Sequence, residues 1–369
     1  MCKTSAQTFT GNKACAIHGT IAVYCLMNQE KVRARSEIVK LIRAWFDQCG
    51  FLEVHTPRLV GLPGQEPHLE PFWTEVVISN AKGEGRRAKS DAALITSPEY
   101  AMKKLLAEGM DKIYDLGPCF RNNEPWDGTH DPEFLMLEWY RRDAGLNEIM
   151  EDTESMIRFV AKESKNVILR EVGATKDLPI GISAESFRRI TMEAAFCEYL
   201  NVNLSSLLED KQALVDLAIS LDQTVGDEDS WDDIFFKIFL THIEPRLGEQ
   251  PTFLYRYPAS MAALARRSED DPRYAERVEL YIGPFELANG FAELADPDEQ
   301  RERFAEEREL RSKLGKKTWS IDERLLSALP KMGNAAGIAF GVDRLVMLLT
   351  GSKSINDILP FSARERFDI

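Results

Sequence analysis

The sequence predicts an α+β fold: a mixed, largely antiparallel sheet flanked by helices. Three observations carry that expectation. Strand-like runs are separated by turns and helices of irregular length, without the regular βαβ alternation of a parallel sheet. The stretch Cys119–Arg142, CFRNNEPWDGTHDPEFLMLEWYRR, reads as strand, polar loop, strand. Val278–Ile282 and Phe285–Leu294 are two further strand-like runs, punctuated by the turn signal Gly283-Pro284. No GxGxxG or Walker-type loop occurs, so neither a Rossmann nor a P-loop site is expected.

The elements follow in chain order. Val32, Ile38, Val39, Ile42, Trp45, Phe46 and Cys49 recur at helical spacing, with Gly50 as a C-terminal stop and Arg33, Arg35, Lys40 and Arg43 on a solvated face. Phe51–Pro57 is a short strand ended by proline. A polar loop (Gly61–Pro71), a strand (Phe72–Ile78) and a basic hairpin tip (Lys82–Lys89) come next. Leu94–Tyr100 leads into a helix with Ser97 as N-cap and Pro98 at the first helical position. Glu99 then falls in the first turn, where a carboxylate suits the helix dipole with no further role. Leu146–Ala161 and Ser183–Leu247 are mainly helical, the second read as a helical insert reaching to about residue 250. Pro251–Pro258 is a strand, and Asp298–Arg311 a charged helix with a solvated face. Ala335–Leu349 is a small-residue strand running into an apolar helix closed by Gly351. Arg344 falls in that helix's first turn, rich in free amides and suited to phosphate.

Composition bounds the function. With 369 residues, 44% hydrophobic and 29% charged, the chain has the make-up of an ordinary globular protein. A net charge of −14 argues against a broad basic nucleic-acid surface. Six cysteines form no CxxC pair and five histidines are scattered, so a zinc site is not expected and a reducing, cytoplasmic setting is. No run of 18 apolar residues exists to span a membrane. Residues 1–28 are expected to be an extension, disordered or not translated, with Met27 as the working start. Residues 29–369 form one domain.

The candidate site begins at the opening stretch. Strand alternation puts Phe134, Met136, Glu138 and Tyr140 on one face and Leu135, Leu137 and Trp139 on the other. A phenyl ring, a carboxylate and a phenol in line, beside Arg121, suggest a pocket for a flat ring and an ammonium group. Asn289, Phe291 and Glu293 share one face of a second strand. Glu279 and Glu286 converge if the chain folds back at Gly-Pro, which would suit Mg²⁺; from spacing alone they read equally as surface carboxylates.

Phe120-Arg121-Asn122, Pro132-Glu133-Phe134, Glu138-x-Tyr140 and Gly341-Val342-Asp343-Arg344 resemble the second and third signature motifs of class II aminoacyl-tRNA synthetases. TSPE at Thr96–Glu99 and ELANGFAEL at Glu286–Leu294 narrow the resemblance to the lysyl branch. It covers the chain from about Glu30 onward, and Thr56-Pro57 lies where the family's first motif supplies a homodimer interface. Too few residues precede the domain for an anticodon-reading OB-fold. LEWYR (Leu137–Arg141), YPAS (Tyr257–Ser260) and Ala339 within GIAFG look instead like the paralogues that attach (R)-β-lysine to elongation factor P, a tRNA-mimicking protein.

That resemblance implies ATP as substrate, Mg²⁺, and a lysine ε-amine as acceptor, with tRNA not expected as a partner. It implies catalytic roles for Arg121 and Arg344, with adenine between Phe134 and Arg344. The nucleotide site would comprise Arg121, Asn122, Asn123, His130, Asp131, Phe134, Glu286, Leu287, Gly341 and Arg344. Ser97, Pro98, Glu99, Glu138, Tyr140, Asn289, Glu293 and Ala339 would surround the diamine, and Glu279 and Glu286 would carry the metal. The loop departs from the family pattern: Asn123 stands where a glutamate is usual, no arginine lies between Arg121 and Phe134, and Asp131 replaces asparagine. A carboxylate there would face the triphosphate. A lysine-activating enzyme with another acceptor, or a non-catalytic lysine- or ATP-binding relative, are the alternatives.

Overall fold

The computed structural model describes residues 29–79, 87–172, 182, 186–248 and 250–367. The expected extension at 1–28 and the tip of the basic hairpin lie outside them.

Helix α1 (Gln29–Gln48) buries Ile38, Ile42, Trp45 and Phe46, and Gly50, at φ 74°, closes it. The amides of Gly50 and Phe51 bond back to the carbonyls of Asp47 and Phe46, the exchange that satisfies a helix end. The basic face is not simply solvated: Arg35 Nε donates to Asp343 Oδ1 at 2.8 Å and Arg43 Nε to Glu53 at 3.0 Å. Strand β1 (Leu52–Glu53) is shorter than expected. Thr56 leaves the ladder because its N–H and Oγ1 both donate to Asp115 Oδ2, at 2.9 and 2.7 Å. Strands β2 (Leu59–Val60), β3 (Trp73–Ser79) and β4 (Arg87–Leu94) form a separate three-stranded sheet in the order β2-β4-β3. Residues 87–89, expected in the hairpin tip, thus belong to a strand.

Helix α2 (Glu99–Ala107) starts one residue later than the sequence suggested, with Pro98 itself at the cap. Ser97 still serves the end, its Oγ accepting from the Glu99 amide at 3.1 Å. Strands β5 (Lys112–Phe120) and β6 (Glu133–Arg142) flank the loop of the opening stretch, and helix α3 (Leu146–Val172) packs beside α1.

The segment 183–250 is not wholly helical. Strand β7 (Arg188–Thr191) pairs in parallel with β8 (Thr252–Pro258) at the edge of the main sheet. Between them come α4 (Met192–Leu200), α5 (Lys211–Ser220), α6 (Trp231–His242) and α7 (Glu244–Leu247). Their core, with Phe196, Phe235 and Ile238, packs against Leu254, Tyr257 and Tyr281 of the sheet.

Strands β9 (Tyr274–Ile282) and β10 (Phe285–Ala292) form the hairpin expected at Gly283-Pro284. Helices α8 (Pro297–Lys313) and α9 (Glu323–Met332), strand β11 (Ala335–Gly341), and helices α10 (Val342–Thr350) and α11 (Ala363–Arg366) complete the chain. The main sheet runs β1-β5-β6-β11-β10-β9-β8-β7, parallel only at its two edge pairings. An α+β architecture is what the sequence predicted. Helix α8 departs from expectation, because Arg303 and Arg311 are buried. Arg311 is fully enclosed, and its guanidinium donates to the carbonyls of Glu66 and Leu69 and to Glu70, so burial leaves no donor stranded.

Candidate active site

A cavity of about 360 Å³ opens over the centre of the main sheet. Its floor follows from strand register. Residues directly opposite on paired strands share a face, and one row crosses five strands: Asp115, Glu138, Ala339, Asn289, Glu279. The hairpin sets Glu286 opposite Tyr281, two residues from Glu279, so the two glutamates converge. A bulge between Glu286 and Ala288 then returns Asn289 to the same face. In the next row Gly337 lies beside Tyr140, where a Cβ would meet the ring at 2.2 Å. Only glycine lets that phenol lie flat against β11.

One end of the cavity is cationic and aromatic. Arg121 follows β5, its guanidinium 5.1 Å over the Phe134 ring and its Nε without a partner. Arg344 donates to the Glu286 carbonyl at 2.6 Å and faces His130 Nε2 at 3.1 Å. A guanidinium can only donate, so Nε2 accepts and the His130 proton sits on Nδ1, which points to Thr129 Oγ1 and Asp127. Leu287 and Gly341 also line this end.

The other end is acidic. Glu138 accepts from Ser97 Oγ at 2.7 Å and Tyr140 OH at 2.6 Å. Burial, and next the charge of Glu99, push its carboxyl up to about 8. Glu293 is raised to about 7, chiefly by burial. Lys103, which the sequence reading missed, lies between them: its Nζ is 2.5 Å from Glu99 Oε1 and 2.6 Å from Glu293 Oε2. Burial disfavours its charge, but the two carboxylates more than offset that and raise its pKa. A lysine at the fourth helical position after Glu99 was the available signal. Ser97, Glu99, Asn289 and Ala339 line the cavity, whereas Glu138, Tyr140 and Glu293 are buried beneath it and Pro98 borders a smaller pocket.

The two candidate metal carboxylates differ. Glu279 is committed to Tyr257 and Tyr281 hydroxyls, both at 2.5 Å, and to Arg277 at 2.6 Å. Glu286 has no such donors, and burial with the Glu279 charge raises it to about 7. Among the described residues no cluster of three or more potential metal ligands occurs.

The irregular loop 123–131 has its own support. Asn122 and Asn123, expected to contact nucleotide, are exposed and outside the cavity lining. Asp131 borders the cavity, yet its oxygens accept from the Glu133 and Ala363 amides and pair with Arg366. The carboxylate expected to oppose triphosphate is therefore neutralised by the C-terminal helix. Arg364 donates to the Trp126 carbonyl at 2.8 Å, and the Ile355 amide to that of Gly128 at 2.7 Å. Cys119 is buried beside Phe134 and pushed up to about 12, chiefly by burial, so it offers no thiolate nucleophile.

Comparison with known proteins settles the family. The model for class II tRNA synthetases (D, K and N) matches residues 22–365. The chain belongs to that family. Among curated relatives it is similar to the elongation factor P–(R)-β-lysine ligase of Photorhabdus laumondii, 38% identical over 89% of this chain and 93% of the relative. The Proteus mirabilis ligase is 38% identical and that of Yersinia enterocolitica 37%, over the same shares. No described helix is long and apolar enough to cross a membrane.

Proposed function

We propose that the protein activates (R)-β-lysine with ATP as an adenylate and transfers the β-lysyl group to the ε-amine of a lysine on elongation factor P, releasing AMP and pyrophosphate. The relatives' names motivate the substrates. The observation that carries the reading is the single cavity with Arg121, Phe134 and Arg344 at one end and Glu99, above Glu138 and Glu293, at the other. Adenine packs between Phe134 and Arg344. Arg121, with an uncommitted Nε, holds the amino acid carboxylate and the α-phosphate in line and offsets charge that builds there. Glu99, Glu138, Tyr140, Asn289 and Glu293 receive the ammonium groups, a donor-rich ligand that neutral amino acids cannot imitate.

Glu279 and Glu286 suit Mg²⁺. A carboxylate without a donor facing a second one fits a cation that takes one or two protein ligands and completes its shell with water and phosphate. When bound it would supply charge neutralisation to the phosphates. The reaction belongs in the cytoplasm, with a homodimer formed through the region of Thr56-Pro57, close to which in the chain Leu52 and Leu59 are exposed.

Pyrophosphate exchange dependent on (R)-β-lysine, followed by transfer to purified elongation factor P but not to tRNA, tests the reading. No exchange with either lysine isomer would overturn it.

A further inference from the structure

An acceptor lysine reaches the site as an ammonium. With an ordinary pKa of about 10.4, only about one in 10³ is a free amine at neutral pH. Unlike a hydroxyl acceptor, it must lose a proton before it has a lone pair with which to attack. Most carboxylates around the cavity are already committed. Glu99 and Glu293 hold Lys103, Glu138 holds Ser97 and Tyr140, and Glu279 holds two tyrosines and Arg277. Glu286 lies beside Arg344 at the nucleotide end.

Glu66 is different. It lines the cavity with Leu69, Ser97, Glu99 and Arg121, and no side chain among the described residues donates to its carboxylate; only its own backbone amide does. The loop beneath it is held rigidly. Arg311 Nη1 donates to the Glu66 carbonyl at 2.8 Å, Lys316 Nζ to that of Pro67 at 2.7 Å, and the Gln65 amide to Tyr100 OH at 3.2 Å. Gly64 leaves room for the carboxylate, since a Cβ there would stand 2.1 Å from Glu66 Oε2. A donor-free carboxylate on a fixed loop, beside the arginine that orients the acyl group, is where a base for an incoming amine belongs.

We infer that Glu66 is the general base for the acceptor, a step that rests on the function proposed above. Its carboxylate takes one proton from the acceptor ε-ammonium. The freed amine attacks the acyl carbon of the β-lysyl adenylate, the carbon–oxygen bond to phosphate breaks, and AMP departs with the bonding pair. The second amine proton leaves with AMP or to water, and the proton on Glu66 returns to solvent. The groups facing Glu66 are Glu99 and Lys103 from α2, Tyr100, Arg121, and Glu307 from α8. Burial, and next the Glu99 charge, raise its carboxyl, which strengthens it as a base.

The test compares single-turnover transfer from preformed adenylate to elongation factor P with pyrophosphate exchange, for wild type, Glu66→Gln and Glu66→Asp. Glu66→Gln should lower the ratio of transfer to exchange by about 10²-fold or more. Its transfer rate should also lose the neutral plateau and climb with the free-amine fraction into alkaline pH. Glu66→Asp should keep the plateau at an intermediate rate. Equal losses in exchange and transfer would overturn the inference, making Glu66 a holder of the substrate amino group. So would an unchanged ratio, or a larger loss in Glu124→Gln, another lining carboxylate without a side-chain donor. If wild type exchanges pyrophosphate but transfers to no protein lysine, the proposed acceptor falls first and this step with it.

Discussion

Lys103 Nζ stands 2.6 Å from Glu293 Oε2, so the acidic end of the site contains a cation of its own. Three carboxylates (Glu99, Glu138 and Glu293) share that enclosed space with one ammonium. On the proposed function, a ligand's amino groups complete a charge arrangement that Lys103 has already begun.

Removing that ammonium should be costly. Lys103→Met leaves Glu99 and Glu293 buried beside Glu138 without a counter-charge, a loss of about 3–5 kcal/mol. Urea unfolding at neutral pH measures it. A loss below about 1 kcal/mol would mean that solvent reaches the carboxylates and screens them.

The raised carboxyl of Glu138 predicts a direction for stability against pH. Its folded-state pKa, about 8, lies above the ordinary carboxylate value, so the folded protein retains a proton that the unfolded chain releases. That stabilisation is complete below the ordinary carboxylate range and is lost as pH rises through about 8. Melting temperature should therefore fall over this window, and Glu138→Gln should flatten the fall. A wild-type profile that is already flat would remove the basis for the assignment. Ammonium binding should also expel protons, read as buffer-dependent heats in calorimetry.

The legibility of this site differed by residue. Alternation placed Glu138 and Tyr140 on one face, and Gly283-Pro284 announced the hairpin that joins Glu279 to Glu286. The bulge at Leu287, which aligns Asn289 with them, left no mark in composition. Arg303 and Arg311 were invisible as buried groups, because a charged residue on an apparently solvated helix gives no sign of a distant carboxylate or carbonyl, and Lys103 left only its spacing from Glu99 as a sign. Strand β7 was hidden for a related reason: four residues before a helix, at a sheet edge, carry too little alternation to read. The family resemblance supplied roles that periodicity could not.

Ala339 lies between Glu138 and Asn289 in the row across the sheet, its methyl beside the proposed diamine pocket. Ala339→Gly should raise use of L-α-lysine relative to (R)-β-lysine, by up to about 1–3 kcal/mol in selectivity. Exchange rates with the two isomers give the ratio. An unchanged ratio would move isomer choice elsewhere.

The exposed Arg366 pairs with the buried Asp131 at the end of the irregular loop. Arg366→Ala strands the carboxylate and should destabilise the loop and weaken ATP binding. Asp131→Asn should suppress only part of that damage, because its single amide oxygen can accept from one of the two backbone amides while its NH2 faces the other donor. A double-mutant cycle on ATP affinity and stability reports the coupling, expected at about 0.5–3 kcal/mol. Additive losses would show the pair to be independent.

The clasp on this loop also orders events during synthesis. Trp126, Gly128 and Asp131 take their partners from Arg364, Ile355 and Arg366, more than two hundred positions later in the chain. The sheet and its row of carboxylates close only once the central strand β11 has emerged, and those partners follow β11 in the chain. The wall beside His130 and Arg344 cannot set before helix α11 docks, so the proposed nucleotide site is completed only after that helix is made.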